Sequence, residues 1–306
     1  VASGFWFNAG GESSANVSVN EDGTITVMTG HPDIGGSRAS MMNIAAELMG
    51  IDVSKVQAII GDTNSVAFSQ LTGGSRVTFA AGMVVTEATR DVITTLRKRA
   101  AQIWGIDPDA VVWEDGEARP AGPNAGDFEP LTLAELAAKA GAMGGPINAR
   151  SSITTQGAAG GFGTHICDVE VDKETGRAWI TRYTAVQDAG RAIHPAYVEG
   201  QLQGGVVQGI GWALNEEYIY TKDGHLDNAS FLDYRVPVAS DLPMIDTVVL
   251  EIPNDKHPQG VRGVGEVPIV PPLAAVANAI HNALGFRMGD LPMSPPRLLK
   301  AIGENA

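Results

Sequence analysis

The chain has 306 residues, 44% hydrophobic and 18% charged, with a formal net charge of −14. This excludes a disordered polypeptide or charged tail, leaves room for one large domain or two ordinary ones, and disfavours nucleic acid as a partner. The single cysteine, Cys167, excludes an intrachain disulfide or a cysteine cluster built from this chain alone; no apolar run is read as a membrane span and no signal peptide is visible, so a cytoplasmic chain is expected.

Residues 15–29 predict a hairpin of two alternating strands turning at Glu21-Asp22-Gly23. A polar loop, GHPDIGGSRAS, precedes a helix closed by Gly50, and VQAIIGD reads as a short strand. Apolar positions recur at helical spacing from about Ser75 to Trp104, predicting one long helix. Residues 105–150 carry a short strand and a short helix and are expected to be an insertion or connector. A second hairpin follows, turning at Glu174-Thr175-Gly176, then a polar loop with His194 and a helix from about Pro195 to Leu214. Beyond it come a hairpin-like EEYIYTKDGHLDN, the strand MIDTVVLEIP, a helix from Val270 to Leu284 and a short helix opened by Ser294 and Pro295. Hairpin, loop and helix thus occur twice, in weak internal repetition. The expected fold is α+β: two related lobes, 1–104 and 151–306, with 105–150 between them and a ligand cleft between the lobes.

Three Gly-rich stretches stand out, at 30–40, 70–78 and 257–268. The first two share Gly-Gly-Ser-Arg (Gly35-Gly36-Ser37-Arg38 and Gly73-Gly74-Ser75-Arg76) and lead into helices. Backbone N–H groups at a helix start, a hydroxyl and a guanidinium suit a phosphate or an extended polar ligand; ordinary tight turns with good caps are the plainer reading. Neither loop is a P-loop or a dinucleotide fingerprint, and no Gly-x-Ser-x-Gly elbow is present. Gly263-Val264-Gly265-Glu266 is the sharpest feature. Its carboxylate sits among apolar residues, a setting that tunes a general base, and Gly263 and Gly265 leave room for a bulky partner. The plainer alternative is a Glu capping the next helix. His31, His194 and His257 lie in loops beside Pro at spacing that fits no metal motif.

Several of these motifs, in this order, resemble the C-terminal part of the molybdopterin-binding large subunit of molybdenum hydroxylases, the xanthine dehydrogenase and aldehyde oxidase family. They are Asp33-Ile34-Gly35-Gly36, Thr72-Gly73-Gly74-Ser75-Arg76, Cys167-Asp168-Val169-Glu170-Val171-Asp172, Gln201-Leu202-Gln203-Gly204-Gly205 with Gln208-Gly209, and Gly263–Glu266. The likeness runs from about Ala15 to Ile302. It implies a pterin-bound molybdenum without protein side-chain ligands to the metal, Glu266 as catalytic base, Gln201 on the pterin, and the loop from Gly73 to Thr78 on the pterin and its phosphate arm. It also implies a cytosine dinucleotide form of the cofactor and a small-molecule substrate, an N-heteroaromatic or an aldehyde, beside Phe5 or Trp6. Iron–sulfur and FAD subunits would carry the electrons. The family's Gly-Gln-Gly is here Gly35-Gly36-Ser37, so the glutamine that reaches toward the metal is absent. The family's large subunit is over twice this length, so the resemblance implies a split subunit or a fragment. Such a chain needs the N-terminal half of the subunit to be active. A non-catalytic, cofactor-holding role is the second expectation, and Gly36 is its main support.

Overall fold

The computed structural model describes residues 1–62 and 64–305, the side chains of residues 158 and 159 excepted. In chain order the elements are β1 (Ala2–Asn8), β2 (Gly11–Val19), β3 (Ile25–Thr29), α1 (Ser37–Met49), β4 (Val56–Ile60), and a π-helical turn (Val77–Ala81) running into α2 (Gly82–Trp104). Then come β5 (Val111–Glu114), β6 (Glu117–Pro120), β7 (Leu131–Thr132), α3 (Leu133–Lys139), β8 (Asn148–Thr155), β9 (Ala158–Val171), β10 (Ala178–Asp188), α4 (Pro195–Leu214) and β11 (Ile245–Leu250). A 3-10 turn (Val267–Ile269) leads into α5 (Val270–Leu284), and α6 (Pro295–Glu304) ends the chain. The fold is mixed α+β. Two compact units divide it: an N-terminal unit of residues 8–158 and 253–261, and a C-terminal unit of residues 1–7, 159–252 and 262–306.

The N-terminal unit is built on a four-stranded sheet in the order β4-β3-β2-β8. β2 and β3 form the expected antiparallel hairpin, and β4 joins β3 in parallel after the α1 crossover. Alternation places Val17, Ile25 and Val27 on one buried face. Ile44 and Met49 of α1 and Val85, Val92 and Leu96 of α2 are buried with them. Residues 105–150 lie inside this unit, where β5, β6 and β7 make a small sheet and Thr132 and Glu135 close a capping box on α3.

The helix expected from Ser75 begins differently. Val77–Ala81 is π-helical, which breaks the regular hydrogen-bond ladder. His257 donates from Nε2 to the Phe79 carbonyl at 3.1 Å and accepts the Gln259 N–H at Nδ1, 2.9 Å away. One ring nitrogen donates and the other accepts, so the ring is neutral. Burial holds it there, pulling its pKa to about 4 against the pull of Phe79.

The C-terminal unit repeats the plan. Its sheet runs β1-β9-β10-β11, with β9 and β10 antiparallel and β11 parallel to β10 after α4. Ile180, Tyr183 and Ala185 of the sheet meet Val206, Ile210 and Ala213 of α4 and Ala275, Val276 and Ile280 of α5 in one core. The 18-residue stretch Val267–Leu284, mean hydropathy 1.3, does reach the length and composition of a short span, contrary to the sequence expectation. Its first six residues include Pro268, Pro271 and Pro272, and its buried Ala275, Val276 and Ile280 belong to this core. The hairpin expected near 216–228 is reduced to an isolated bridge, Tyr220 to Leu226. β1 and β8 go beyond the sequence expectations: β8 is largely polar, and β1 carries its aromatics within only seven positions.

Candidate active site

Glu266 stands half-buried at the start of the 3-10 turn that opens α5. It occupies the cap position but makes no side-chain cap hydrogen bond, so the helix-capping alternative fails. The loop before it is fastened to the end of β10 at consecutive points. Gln187 donates its Nε2 to the Val264 carbonyl at 3.1 Å. The Arg262 N–H binds the Ala189 carbonyl at 3.0 Å. Arg262 Nε lies 2.9 Å from Asp188 Oδ2, an ion pair off the hydrogen-bonding direction, with both side chains under 15% exposed. Asp188 Oδ1 accepts the N–H groups of Gly190 and Ile252. The donors around it fix the orientation of the Asp188 carboxylate toward Arg262.

α4 lies against the other flank. A Cβ on Gly205 would come within 2.4 Å of the Pro268 ring, and one on Gly209 within 2.6 Å of the Ile269 carbonyl. Gly205 and Gly209 of the 201–209 motif therefore serve close packing of α4 on the 267–272 segment. Gln201 Oε1 lies 3.1 Å from where a Cβ on Gly265 would sit. The structure thus brings Gln201, Gly263, Gly265 and Glu266 together in the C-terminal unit. Gly161 of β9 passes close as well, its Cβ point 3.3 Å from the Gly263 carbonyl.

The other expected binding residues lie in the N-terminal unit. Gly35 and Gly36 are both left-handed, and Gly36 is the N-cap of α1 at φ 76°. Ser37 is buried; Arg38 pairs with Asp33 at 3.2 Å, and Asp33 also accepts the Arg38 N–H. In the second loop Gly74 and Ser75 are left-handed, at φ 70° and 52°. Arg76 corrects the sequence expectation of a phosphate fork. It is 1% exposed, and its five donors go to the carbonyls of Gly10, Glu12, Gln70 and Leu71 and the hydroxyl of Ser13. It shapes the loop and has nothing left for a ligand. Thr72, in contrast, buries a hydroxyl with no partner among the described residues, and Thr78 is half-buried.

Phe5 is 50% exposed and pairs with Phe162 of β9 at 5.4 Å between ring centres. Trp6 points to the other face of β1 and buries an indole N–H that has no partner among the described residues. The three histidines do not gather: among the described residues no His, Cys, Asp or Glu cluster could hold a metal. His31 binds Ser13 at 3.2 Å and is kept neutral, its pKa near 4, by burial and then by the Arg76 charge. His194 stacks on Tyr197. Sequence reasoning missed Gln187, Asp188 and Arg262. The available signal was a polar residue, Gln187, on the inward side of a strand whose other inward residues are Tyr183 and Ala185.

Residues 1–243 match the family model described as a molybdopterin cofactor-binding domain. The xanthine dehydrogenase molybdenum-binding subunit of Escherichia coli O157:H7 is 33% identical over 94% of this chain and 39% of its own length. Subunit gamma of the 6-hydroxypseudooxynicotine dehydrogenase complex of Paenarthrobacter nicotinovorans is 31% identical over 93% of this chain and 37% of its own. The quinoline 2-oxidoreductase of Pseudomonas putida 86 superposes with a TM-score of 0.86 at 27% identity, over 99% of this chain and 42% of the other. The chain therefore spans about two fifths of these relatives. A family model that covers most of the sequence, with a shared fold, leaves one conclusion: the chain belongs to the molybdopterin cofactor-binding domain family.

Proposed function

We propose that the chain is the cofactor-holding and catalytic part of a molybdenum hydroxylase large subunit, with Glu266 as its base. The observation that carries this is the placing of one carboxylate on a loop clamped at Gln187, Ala189 and Asp188, with an amide, Gln201, over the adjoining Gly265 backbone.

The residues present fit a pterin. Gln201 offers an amide edge beside the backbone of Gly265, which carries no side chain of its own. In the N-terminal unit the buried Thr72 hydroxyl, with no partner among the described residues, lies close in sequence to the left-handed Gly74 and Ser75, a setting suited to a polar or phosphate group. Gly35 to Arg38 and Gly73 to Thr78 are assigned to that arm, here taken as the cytosine dinucleotide form. Arg76 acts only by shaping its loop.

When bound, the molybdenum–pterin group supplies the two-electron oxidation that places water-derived oxygen on a substrate carbon. The chain's own work is to hold Glu266 where its carboxylate can take up the proton released in that step, and to exclude water with the apolar Val264, Val267 and Pro268. Phe5 is assigned to a flat substrate, an N-heteroaromatic or an aldehyde, by ring stacking. The N-terminal half of the subunit and the iron–sulfur and FAD chains are the partners this reading requires. In it, the two similar units are the two cofactor-binding lobes.

Replacing Glu266 by Gln in the complete enzyme tests the reading, with xanthine, quinoline and an aromatic aldehyde as probes. Loss of a positioned base is expected to lower kcat by about 10²–10⁴-fold with the molybdenum content unchanged. Turnover near the wild-type rate would remove Glu266 from the chemistry and favour the cofactor-holding role.

A further inference from the structure

Two buried polar atoms beneath the Glu266 loop have no hydrogen-bond partner among the described residues: Gln187 Oε1 and His165 Nε2. Gln187 is 1% exposed and His165 is 0%. A buried polar atom left without a partner is costly, so each asks for one. Gln187 must turn its Nε2 toward Val264, because a carbonyl only accepts; its Oε1 is then an acceptor that needs a donor.

The strand register shows what they share. Gly163 of β9 stands opposite Gln187, and His165 stands opposite Ala185. Opposed Cβ positions in such a pair lie about 5 Å apart. His165 Nε2 lies 3.5 Å from the point a Cβ on Gly163 would occupy, and the Val186 carbonyl lies 3.4 Å from that point. His165 Nε2, the Val186 carbonyl and Val267 Cγ1, 3.6 Å away, thus line the space that the absent side chain of residue 163 leaves, and the register sets Gln187 directly across the ladder from it.

We propose that one internal water fills this gap and joins Gln187 to His165, so that Tyr183, His165, the water and Gln187 form a positioning chain for the Gly263–Glu266 loop. With His165 as the Nε2–H tautomer the bond directions form one consistent set. Gln187 Nε2 donates to Val264, so Oε1 accepts from the water. The water accepts from His165 Nε2–H. His165 Nδ1 then accepts from the Tyr183 hydroxyl, 2.9 Å away. All donors point one way along the chain, an arrangement in which each bond polarises the next. A space lined by His165 Nε2 and the Val186 carbonyl, with the buried Gln187 across the ladder, offers the two or more polar partners that a single water needs. Gln187 is in this sense a positioning residue that acts through the Val264 backbone.

This rests on the reading of Glu266 as the base, and the experiment separates the two. In the complete enzyme, Gln187→Met keeps side-chain length and removes both polar ends. The amides of residues 262–266 are expected to exchange with deuterium faster than in the wild type, and this needs neither substrate nor loaded cofactor. With xanthine, quinoline or an aromatic aldehyde as probe, kcat is expected to fall by about tenfold or more, as for a base misplaced by a fraction of an ångström, with KM within about twofold and molybdenum content unchanged. His165→Met should behave alike. His165→Gln carries an N–H to nearly the place of Nε2 and should restore both exchange protection and turnover to within about twofold of wild type, which packing alone would not do. A crystal structure of the complete enzyme should show the water within hydrogen-bond reach of both atoms. Unchanged loop exchange in Gln187→Met, equal damage from His165→Gln and His165→Met, or a dry gap would each overturn the proposal. If Glu266→Gln keeps its activity while the exchange results hold, the tether stands and only the base assignment falls.

Discussion

The two units solve the same problem with different chemistry. Each is a hairpin, a crossover helix and a parallel strand, and each must hold a Gly-rich loop in a fixed shape. The N-terminal unit does so with charge: the buried Arg76 guanidinium gathers four carbonyls and a hydroxyl. The C-terminal unit does so mainly with a neutral amide, Gln187, and places its Arg262–Asp188 ion pair nearer the surface. A guanidinium serves many acceptors but saturates itself, so it leaves no donor for a ligand. The amide makes one bond to the loop and leaves the carboxylate of Glu266 as that loop's chemical group. One loop is held by a buried cation that bonds to five acceptors, the other by a single buried amide bond to the Val264 carbonyl.

The largest effect that would sharpen this contrast is expected from Arg76→Met. It strands five acceptors in a closed interior, at about 1–3 kcal/mol for each one left unpaired, and should give the largest shift in the chemical unfolding midpoint. Arg262→Met, which breaks a partly solvated pair, should cost clearly less; equal losses would erase the distinction between the two clamps.

Acid should also tell the units apart. His31 and His257 in the N-terminal unit and His165 in the C-terminal unit are each held by burial near pKa 4, against an ordinary 6.5. Between those values the unfolded chain binds more protons than the folded one. Stability is therefore complete above about pH 6.5 and is lost as pH falls toward 4, by on the order of 2–3 kcal/mol per histidine at the acid end. With two such histidines against one, the N-terminal unit should lose amide protection first between pH 7 and pH 5. Simultaneous loss in both units would break the comparison.

A smaller effect separates helix propensity from packing on α4. Gly204 has nothing within 4 Å of its Cβ point, so Gly204→Ala should stabilise by about 1 kcal/mol. Gly209→Ala gains the same propensity but drives a methyl into the Ile269 backbone, and should cost about 1–3 kcal/mol. Opposite signs in thermal unfolding are expected; the same sign would mean that α4 does not depend on that close approach.

Much of the fold was legible because its signals are local. Period-two alternation with Asp22-Gly23 makes the β2–β3 hairpin, and Gly50 ends α1 because only a residue at ease at φ 66° closes it there. β8 escaped notice because it is nearly polar throughout, and a strand takes its identity from the neighbour it pairs with, here β2. The π-turn at 77–81 escaped because nothing in its own residues demands it; a carbonyl acceptor is met by His257, far away in sequence.

The sequence by itself determined the family motifs, the two-fold repetition of hairpin and helix, and the candidate carboxylate at residue 266. It could do so because each is written in contiguous residues. Which arginine is spent, which glutamine tethers the loop and which glycine admits a neighbouring backbone were decided only by the tertiary structure. Those roles depend on hydrogen-bond partners and open space set by chain segments tens of residues apart, and a residue's type says what it can bond to but not what folding brings within reach.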